Sequence, residues 1–311
     1  MKKLLSIILA SITFFTSFTA SFAYEQYIGD MYSTSTTAVI DCHQIPVYVF
    51  NNYPYIVAED LNGYGFDIKW VQSEQTLYLN YNPNKGYFPY EDLGFDITPS
   101  YAGPVYSSDI KVLLNNTPIP SYSLNGQMLI SLDELWRFGK VNWYDESLTI
   151  AVTTNKFIRE NPDWETLMPP LYLADKVSKT FALTCYIYLD MIDVMSDAED
   201  QYNSSYIFND YNCYVQLQAC KNYLNSAMSY IENDQYMYER GNLYHLIYNT
   251  ISIVDNVEEF YQLISTHNLS WTINNFHYIE NIDNSMEVIC EDISTYSDNI
   301  IENIGRYITL I

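Results

Sequence analysis

Few side chains in this sequence could take part in chemistry, and they lie far apart. The histidines stand singly, without a His-x-His pair: His43, His245, His267 and His277. Metal sites need several ligands held close together, so we predict no metal and no cofactor. The sequence also lacks a Gly-x-Ser-x-Gly nucleophile motif and a glycine-rich phosphate loop. We therefore assign no catalytic, cofactor-binding or metal-binding residue.

Two pairs of neighbouring carboxylates are the candidates for acid–base catalysis. Glu59-Asp60 and Asp133-Glu134 could serve as the acid and the nucleophile of a glycosidase. Both pairs stand at matching starts of predicted short helices, where negative charge stabilises the helix N-terminus. We predict this second role for them. A secreted hydrolase or cell-wall-modifying enzyme with an unrecognised site is the alternative function.

A third acidic group could attract a calcium ion. Asp193, Asp197 and Asp200 follow the first long helix of the second half. They lack the glycine and the terminal glutamate of an EF-hand loop. We predict a solvated acidic helix end rather than a calcium site.

The cysteines leave two alternatives open. One lies in the first half and four in the second: Cys42, Cys185, Cys213, Cys220 and Cys290. Export would permit disulfides. Cys213 and Cys220 share a helix face but cannot bond each other, whereas Cys185 and Cys290 could each pair with one of them. Buried free thiols are the other alternative, which the odd count favours.

Composition and charge exclude some classes of protein. The 311 residues carry 14 Lys and Arg against 38 Asp and Glu, a formal net charge of -24. Nucleic-acid binding needs concentrated positive charge, so no nucleic-acid partner is expected. Hydrophobic residues make up 48%, which excludes a wholly disordered chain. The 32 tyrosines could stack on sugar rings, but many lie at core-like helical spacings, so we assign them to packing.

The N-terminus predicts export. Lys2 and Lys3 precede an apolar run over residues 4–20, and Ser21-Phe22-Ala23 follows as a small-residue pattern. These features indicate a signal peptide over residues 1–23. The run is short for a membrane span, and no later segment is apolar enough for one. We expect a secreted, extracellular protein, either released or associated with the cell wall.

An internal repeat organises the first half. Ile-Pro, a tyrosine, an acidic-leucine segment, a glycine and a tryptophan recur in the same order. The offset is 74 residues as far as Gly65 and Gly139, and 73 residues from Trp70 and Trp143 onward. Each unit, over residues 35–80 and 107–153, is predicted as a β-β-α-β-β unit with turns at asparagine-rich pairs. Two such units would bury their faces against each other in an α+β domain over residues 24–154.

Four groups of segments carry a resemblance to a known family: Tyr55-Ile56-Val57-Ala58-Glu59-Asp60-Leu61, Tyr64-Gly65-Phe66-Asp67 with Trp70, Asp109-Ile110-Lys111-Val112, and Ile119-Pro120-Ser121-Tyr122 with Gly139 and Trp143. With these segments the two units resemble the tandem repeats of the copper amine oxidase-like N-terminal domain, also called the stalk-like domain, of exported Gram-positive proteins. The resemblance covers residues 35–153. It implies an α+β accessory module on wall-associated or secreted proteins. Amine oxidation is not expected, because the histidines are isolated and Asn209-Asp210-Tyr211 has the wrong order for a quinone-forming tyrosine.

The second half has the pattern of a helical bundle. Residues 155–170 contain Pro162, Pro169 and Pro170 and are predicted as a linker. Over residues 171–311, apolar residues recur at helical spacing in four segments, which predicts an all-α antiparallel bundle of about four helices. The same stripes could instead pair between chains in a homo-oligomeric coiled coil.

Together these features predict an exported, non-catalytic protein in which a stalk-like module carries a helical bundle. Its expected partner is a cell-wall polymer or another envelope protein. Residues 161–311 hold 22 acidic and 5 basic side chains. The bundle would therefore repel anionic wall polymers and lipids unless divalent cations bridge them.

Overall fold

A computed structural model describes residues 26–89, 97–201 and 203–307. Over these residues a β-rich N-terminal region is followed by a helical C-terminal region, as predicted. The predicted signal peptide over residues 1–23 lies outside the described residues. In the part of the chain that is described, no helix is both long enough and apolar enough to cross a membrane.

The described β-rich region contains fourteen strands and three 3₁₀ helices. The 3₁₀ helices are η1 (Ala58–Gly63), η2 (Gln72–Glu74) and η3 (Leu132–Phe138). The strands are β1 (Tyr27–Ser33), β2 (Thr37–Ile40), β3 (His43–Ile45), β4 (Tyr48–Phe50), β5 (Tyr53–Val57), β6 (Phe66–Val71), β7 (Thr76–Tyr81), β8 (Ser100–Ser107), β9 (Lys111–Leu114), β10 (Thr117–Ile119), β11 (Ser121–Leu124), β12 (Gln127–Ser131), β13 (Gly139–Tyr144) and β14 (Thr149–Thr154).

The short helix predicted at the centre of each unit is a 3₁₀ helix, not an α-helix. The buried residues of η3 are Leu132, Leu135 and Phe138, and those of η1 are Ala58 and Leu61. A spacing of three places each set on one face of a helix with three residues per turn.

Six strands close into a barrel, and eight form two four-stranded sheets. The barrel order is β1-β4-β5-β12-β11-β8, and the sheets are β10-β9-β7-β6 and β13-β14-β2-β3. An apolar cluster, the β core, joins residues of both sheets with η1 and η3. The barrel interior holds Met31, Phe50, Val57, Val105, Leu124 and Leu129.

Each sheet takes two strands from each predicted unit. β7 pairs in parallel with β9, where Leu77 lies opposite Val112. β14 pairs in parallel with β2, where Ile150 lies opposite Ala38. Both sheets therefore contain an antiparallel, a parallel and an antiparallel pair in the same order. The two segments exchange strands, an arrangement that goes beyond the face-to-face packing expected from the sequence.

Strands β1 and β8 extend the sheet structure beyond the predicted unit boundaries. They pair in the barrel, with Met31 opposite Gly103. Met31 is the buried residue of β1, so that strand lacks the alternating apolar pattern that identifies strands in a sequence. Gly29 and Gly103 have φ angles of +156° and +146°, a backbone conformation that glycine tolerates.

The helical region begins earlier than predicted. Pro169 and Pro170 lie inside its first long helix, although a proline in a helix interior costs about 3 kcal/mol. Burial of Trp164, Leu167 and Met168 in the helical core offsets that cost. The segment predicted as a linker over residues 155–170 is therefore helical apart from a turn over residues 161–163. The helices are α1 (Asn155–Glu160), α2 (Trp164–Asp200), α3 (Tyr211–Asn233), α4 (Arg240–Thr266), α5 (Leu269–Asn274) and α6 (Phe276–Gly305).

The long helices pack side by side, and side-chain contacts between them show their relative directions. Ser178 contacts Ser297 and Tyr188 contacts Asp283, so α2 and α6 run antiparallel. Helix α4 packs against α2, α3 and α6, and its apolar stripe is buried over its whole length. Lys221 of α3 forms ion pairs with two carboxylates of α4, at 2.8 and 2.9 Å.

The helices pack directly on one of the two sheets. All six residues of β14 are buried. Ile150 and Val152 face the β core, whereas Ala151 and Val39 belong to the helical core. The sheet β13-β14-β2-β3 is therefore covered on both faces. The helical region and the β-rich region therefore meet at this sheet.

Candidate functional site

The histidines lie on separate elements, each against an aromatic ring. Ring centroids are 3.7 to 5.0 Å apart for the pairs His43–Tyr87, His245–Tyr296, His267–Trp271 and His277–Tyr278. Among the residues that the structure describes, no three His, Cys, Asp or Glu side chains are grouped so that they could hold a metal ion. Asp193, Asp197 and Asp200 are exposed at the end of α2.

The two carboxylate pairs do not converge on a common site. Glu59 of η1 accepts hydrogen bonds from the backbone N–H of Met128, at 3.2 and 3.3 Å, and so ties η1 to β12. Burial raises the pKa of Glu59. Glu134 of η3 instead pairs with Arg137 at 3.1 Å. Capping of η3 comes from the hydroxyl of Ser131, which accepts from the N–H of Asp133.

A buried carboxylate, Asp41, has a structural role. Its oxygens accept hydrogen bonds from the N–H and the hydroxyl of Thr154 and from the hydroxyl of Tyr87, each at 2.6 Å. Burial raises the pKa of Asp41, and these donors oppose the rise. Asn115, at the corresponding position of the second unit, accepts from the N–H of Tyr81 at 2.9 Å. Because a neutral amide makes the same backbone contact there, this bond needs no charge.

The cysteine thiols are free, and two of them are in contact. Cys185 of α2 and Cys290 of α6 interact side chain to side chain, and burial raises the pKa of Cys185 to about 12. Cys220 is buried beside Thr184, and Cys213 lies beside Asp210. The structure therefore brings Cys185 to Cys290, and not to either cysteine of α3.

We expect mild oxidation to join Cys185 to Cys290. Because the thiol pKa is raised and only the thiolate reacts, the reaction with oxidised glutathione should be slow at pH 7 and faster at pH 9. Peptide mapping after alkylation checks the pairing. Cys220→Ser should keep the cross-link and Cys290→Ser should lose it. A cross-link to Cys213 or Cys220 would contradict the packing of α2 against α6.

Two pockets that sequence reasoning missed lie beside exposed tryptophans. Trp70 on β6 and Trp143 on β13 are 43% and 47% exposed. The pocket beside Trp70 has a volume of about 480 Å³ and the one beside Trp143 about 400 Å³. Both volumes fall in the range of small-molecule sites. The sequence did show the repeated tryptophans, but the exposure of their rings depends on the tertiary fold.

The two pockets are built from corresponding residues of the two units. In the order of correspondence, Trp70, Leu77, Ile110, Gly126 and Met128 line one, and Trp143, Ile150, Thr36, Asn52 and Pro54 line the other. Each indole N–H is held by a side chain two residues onward, Gln72 at 2.9 Å for Trp70, and Asp145 for Trp143. Each ring is thus fixed in orientation at the edge of its pocket.

The polar groups of the two pockets differ. Glu59 lines the pocket beside Trp70, whereas Thr34, Ser35 and Asn52 line the pocket beside Trp143. An exposed indole offers an electron-rich face to C–H groups, and nearby hydroxyl and amide groups supply hydrogen bonds. This combination suits a sugar ring, which has an apolar face and a hydroxylated edge.

A third pocket lies between the β-rich region and α3. Its volume is about 400 Å³, and Asp145, Glu146, Tyr223 and Tyr230 line it. The hydroxyl of Tyr223 donates to the backbone carbonyl of Glu146 at 3.3 Å. Burial raises the pKa of the Glu146 side chain. The two carboxylates are consecutive residues of one turn.

No protein-family model, curated protein or solved structure matches this chain. The geometry of the three pockets and the charge of the surrounding surface are the observations that bear on function.

Proposed function

We propose that this is an exported, non-catalytic protein of the Gram-positive cell envelope whose β-rich region binds a wall glycan. The observation that carries the proposal is the pair of tryptophan pockets at corresponding positions. A polymer of repeating sugars offers the same group more than once, and two equivalent pockets could hold two of its units. Binding at two linked sites is tighter than at either one alone.

The proposal includes the architecture predicted from the sequence. The strand pairing supports two interleaved copies of one unit, in keeping with the stalk-like resemblance. The four long helices form one bundle that the β-rich region presents. The strongly acidic chain, with its net charge of -24, disfavours an anionic polymer such as one rich in phosphate, so the ligand is a neutral glycan.

Co-sedimentation of the full mature protein with purified cell wall tests the proposal. We expect retention without Ca²⁺, and about a thirtyfold loss of affinity in the double variant Trp70→Ala/Trp143→Ala, since stacking on each of the two aromatic rings contributes on the order of 1 kcal/mol. Trp136→Ala is the matched control, because Trp136 is 64% exposed but lines neither pocket. Equal retention of the double variant and the control would refute the role of the pockets.

A secreted hydrolase is the second candidate, and the third pocket is the observation that favours it. Glu146, whose pKa is raised by burial, would be the acid, and Asp145 the other carboxylate. If this candidate is correct, soluble reducing ends should appear when the protein is incubated with the wall. Glu146→Gln should abolish their release. If incubation of the wild-type protein with the wall releases no reducing ends, the hydrolase function is excluded.

A further inference from the structure

A fourth pocket lies within the helical region, away from the tryptophan pockets. It has a volume of about 300 Å³ and opens between α2, α4, α5 and α6. Its floor is formed by side chains that are at most 7% exposed: Met195, Phe260, Leu269 and Thr272. The floor therefore offers mainly apolar surface with one hydroxyl, a lining typical of small-molecule sites.

Two carboxylates stand at the mouth of this pocket, on different helices. Glu199 belongs to α2 and Asp283 to α6, and both are exposed. The hydroxyl of Tyr188 donates to Oδ1 of Asp283, and the Tyr188 ring packs edge-on against Phe260 of the floor, with centroids 5.0 Å apart. The hydrogen bond from Tyr188, whose ring is itself packed against Phe260, holds the Asp283 carboxylate at the mouth of the pocket.

The charge of the surroundings selects the ligand. None of the residues described as lining the pocket is basic, and residues 161–311 hold 22 acidic against 5 basic side chains. An organic anion would be repelled, and a neutral apolar molecule would gain nothing from the carboxylates. A molecule with an apolar body and a positively charged end uses both the floor and the mouth.

We propose that this pocket binds a small amphiphilic organic cation, with its apolar body on Phe260 and Met195 and its ammonium group between Glu199 and Asp283. The proposal does not depend on glycan binding, because the tryptophan pockets belong to the β-rich region and use other residues. It assigns to the helical region a ligand-binding role of its own.

Calorimetry of the full mature protein with 4-phenylbutylamine tests this site. Its neutral counterpart, 4-phenylbutan-1-ol, has the same apolar body without the charge. We expect saturable binding of the amine and at least tenfold weaker binding of the alcohol. The double variant Glu199→Gln/Asp283→Asn, which preserves side-chain shape, should weaken amine binding about tenfold and leave alcohol binding unchanged.

The control separates a specific site from general attraction to an acidic protein. Asp193→Asn removes an exposed carboxylate from α2 that does not line the pocket, and it should bind the amine as the wild type does. The proposal is overturned by equal affinity for amine and alcohol, by the absence of saturable amine binding, or by an equal loss in Asp193→Asn and the double variant. Circular dichroism of each variant shows that it is folded.

Discussion

Replacing Gly139 with alanine is expected to destabilise the β-rich region by about 3 kcal/mol or more. Gly139 begins β13 and pairs with Thr154 of β14. A Cβ atom at this position would lie 1.9 Å from the backbone oxygen of Thr153 and 2.7 Å from its carbonyl carbon. Backbone atoms of a paired strand cannot move aside as a flexible side chain can, so the strands must separate locally, and such overpacking is costly.

Urea unfolding followed by circular dichroism measures this effect. Gly241→Ala is the matched control, because its added Cβ meets no atom within 4 Å. Gly241 lies in the first turn of α4, where alanine should be neutral or stabilise the helix by up to about 1 kcal/mol. A Gly139→Ala protein that unfolds at the wild-type urea concentration would show that β13 and β14 do not pair in this register.

The repeat of one unit by the other could be predicted from the sequence, because the recurring residues lie close together in the chain within each unit. Trp70 pairs with Leu77, and Trp143 pairs with Ile150, 73 residues further along. The tryptophan positions repeat because each marks the same point in a hairpin, whereas Gly65 immediately precedes β6 and Gly139 is the first residue of β13. Helix α4 was equally predictable, since Leu243, Ile247, Thr250, Val254 and Val257 form a stripe at helical spacing and all are buried.

The exchange of strands between the units could not be predicted in the same way. The apolar pattern of β7 states that the strand is buried, but not whether β9 or another strand lies beside it. Parallel pairing between distant segments depends on the global fold. The prolines near residue 170 show the opposite problem, since their local signal for a linker was clear but burial of Trp164 and Met168 outweighed it.

The candidate sites were the least predictable part of the molecule. The carboxylate pairs that were candidates for catalysis are engaged in structural contacts, for example Glu59 with the N–H of Met128. The pockets combine residues far apart in the chain, such as Trp143 with Asn52. A sequence pattern reports which side chains recur, whereas a pocket depends on which of them the fold leaves uncovered.

The wild-type protein is expected to gain stability relative to Lys176→Met as the pH rises from 7 to 9. Lys176 is 1% exposed at the junction of α2 with the β-rich region. Its amine donates to the backbone oxygen of Ser35 and to the hydroxyl of Thr37. Burial lowers the pKa of Lys176 from 10.5 to about 7, with Lys179 adding to the decrease and Asp175 opposing it.

The direction of the effect follows from proton binding. Between pH 7 and pH 10.5 the unfolded chain holds a proton on Lys176 that the folded protein has largely lost, so lowering the pH favours unfolding. The stability contribution is fully present above pH 10.5 and is lost as the pH falls to about 7. Linkage gives a difference of about 2 kcal/mol between pH 9 and pH 7, and methionine has no such dependence.

Urea unfolding of both proteins at pH 7, 8 and 9 tests this expectation, because the other titrating groups cancel in the difference between them. Lys111→Met is the matched control, since Lys111 is exposed on β9 and is not among the groups that shift the pKa of Lys176. Its unfolding free energy should follow the wild type across this pH range. If the gap between wild type and Lys176→Met stays constant from pH 7 to pH 9, Lys176 keeps its proton in the folded state, and the junction must then admit enough water to solvate a charge.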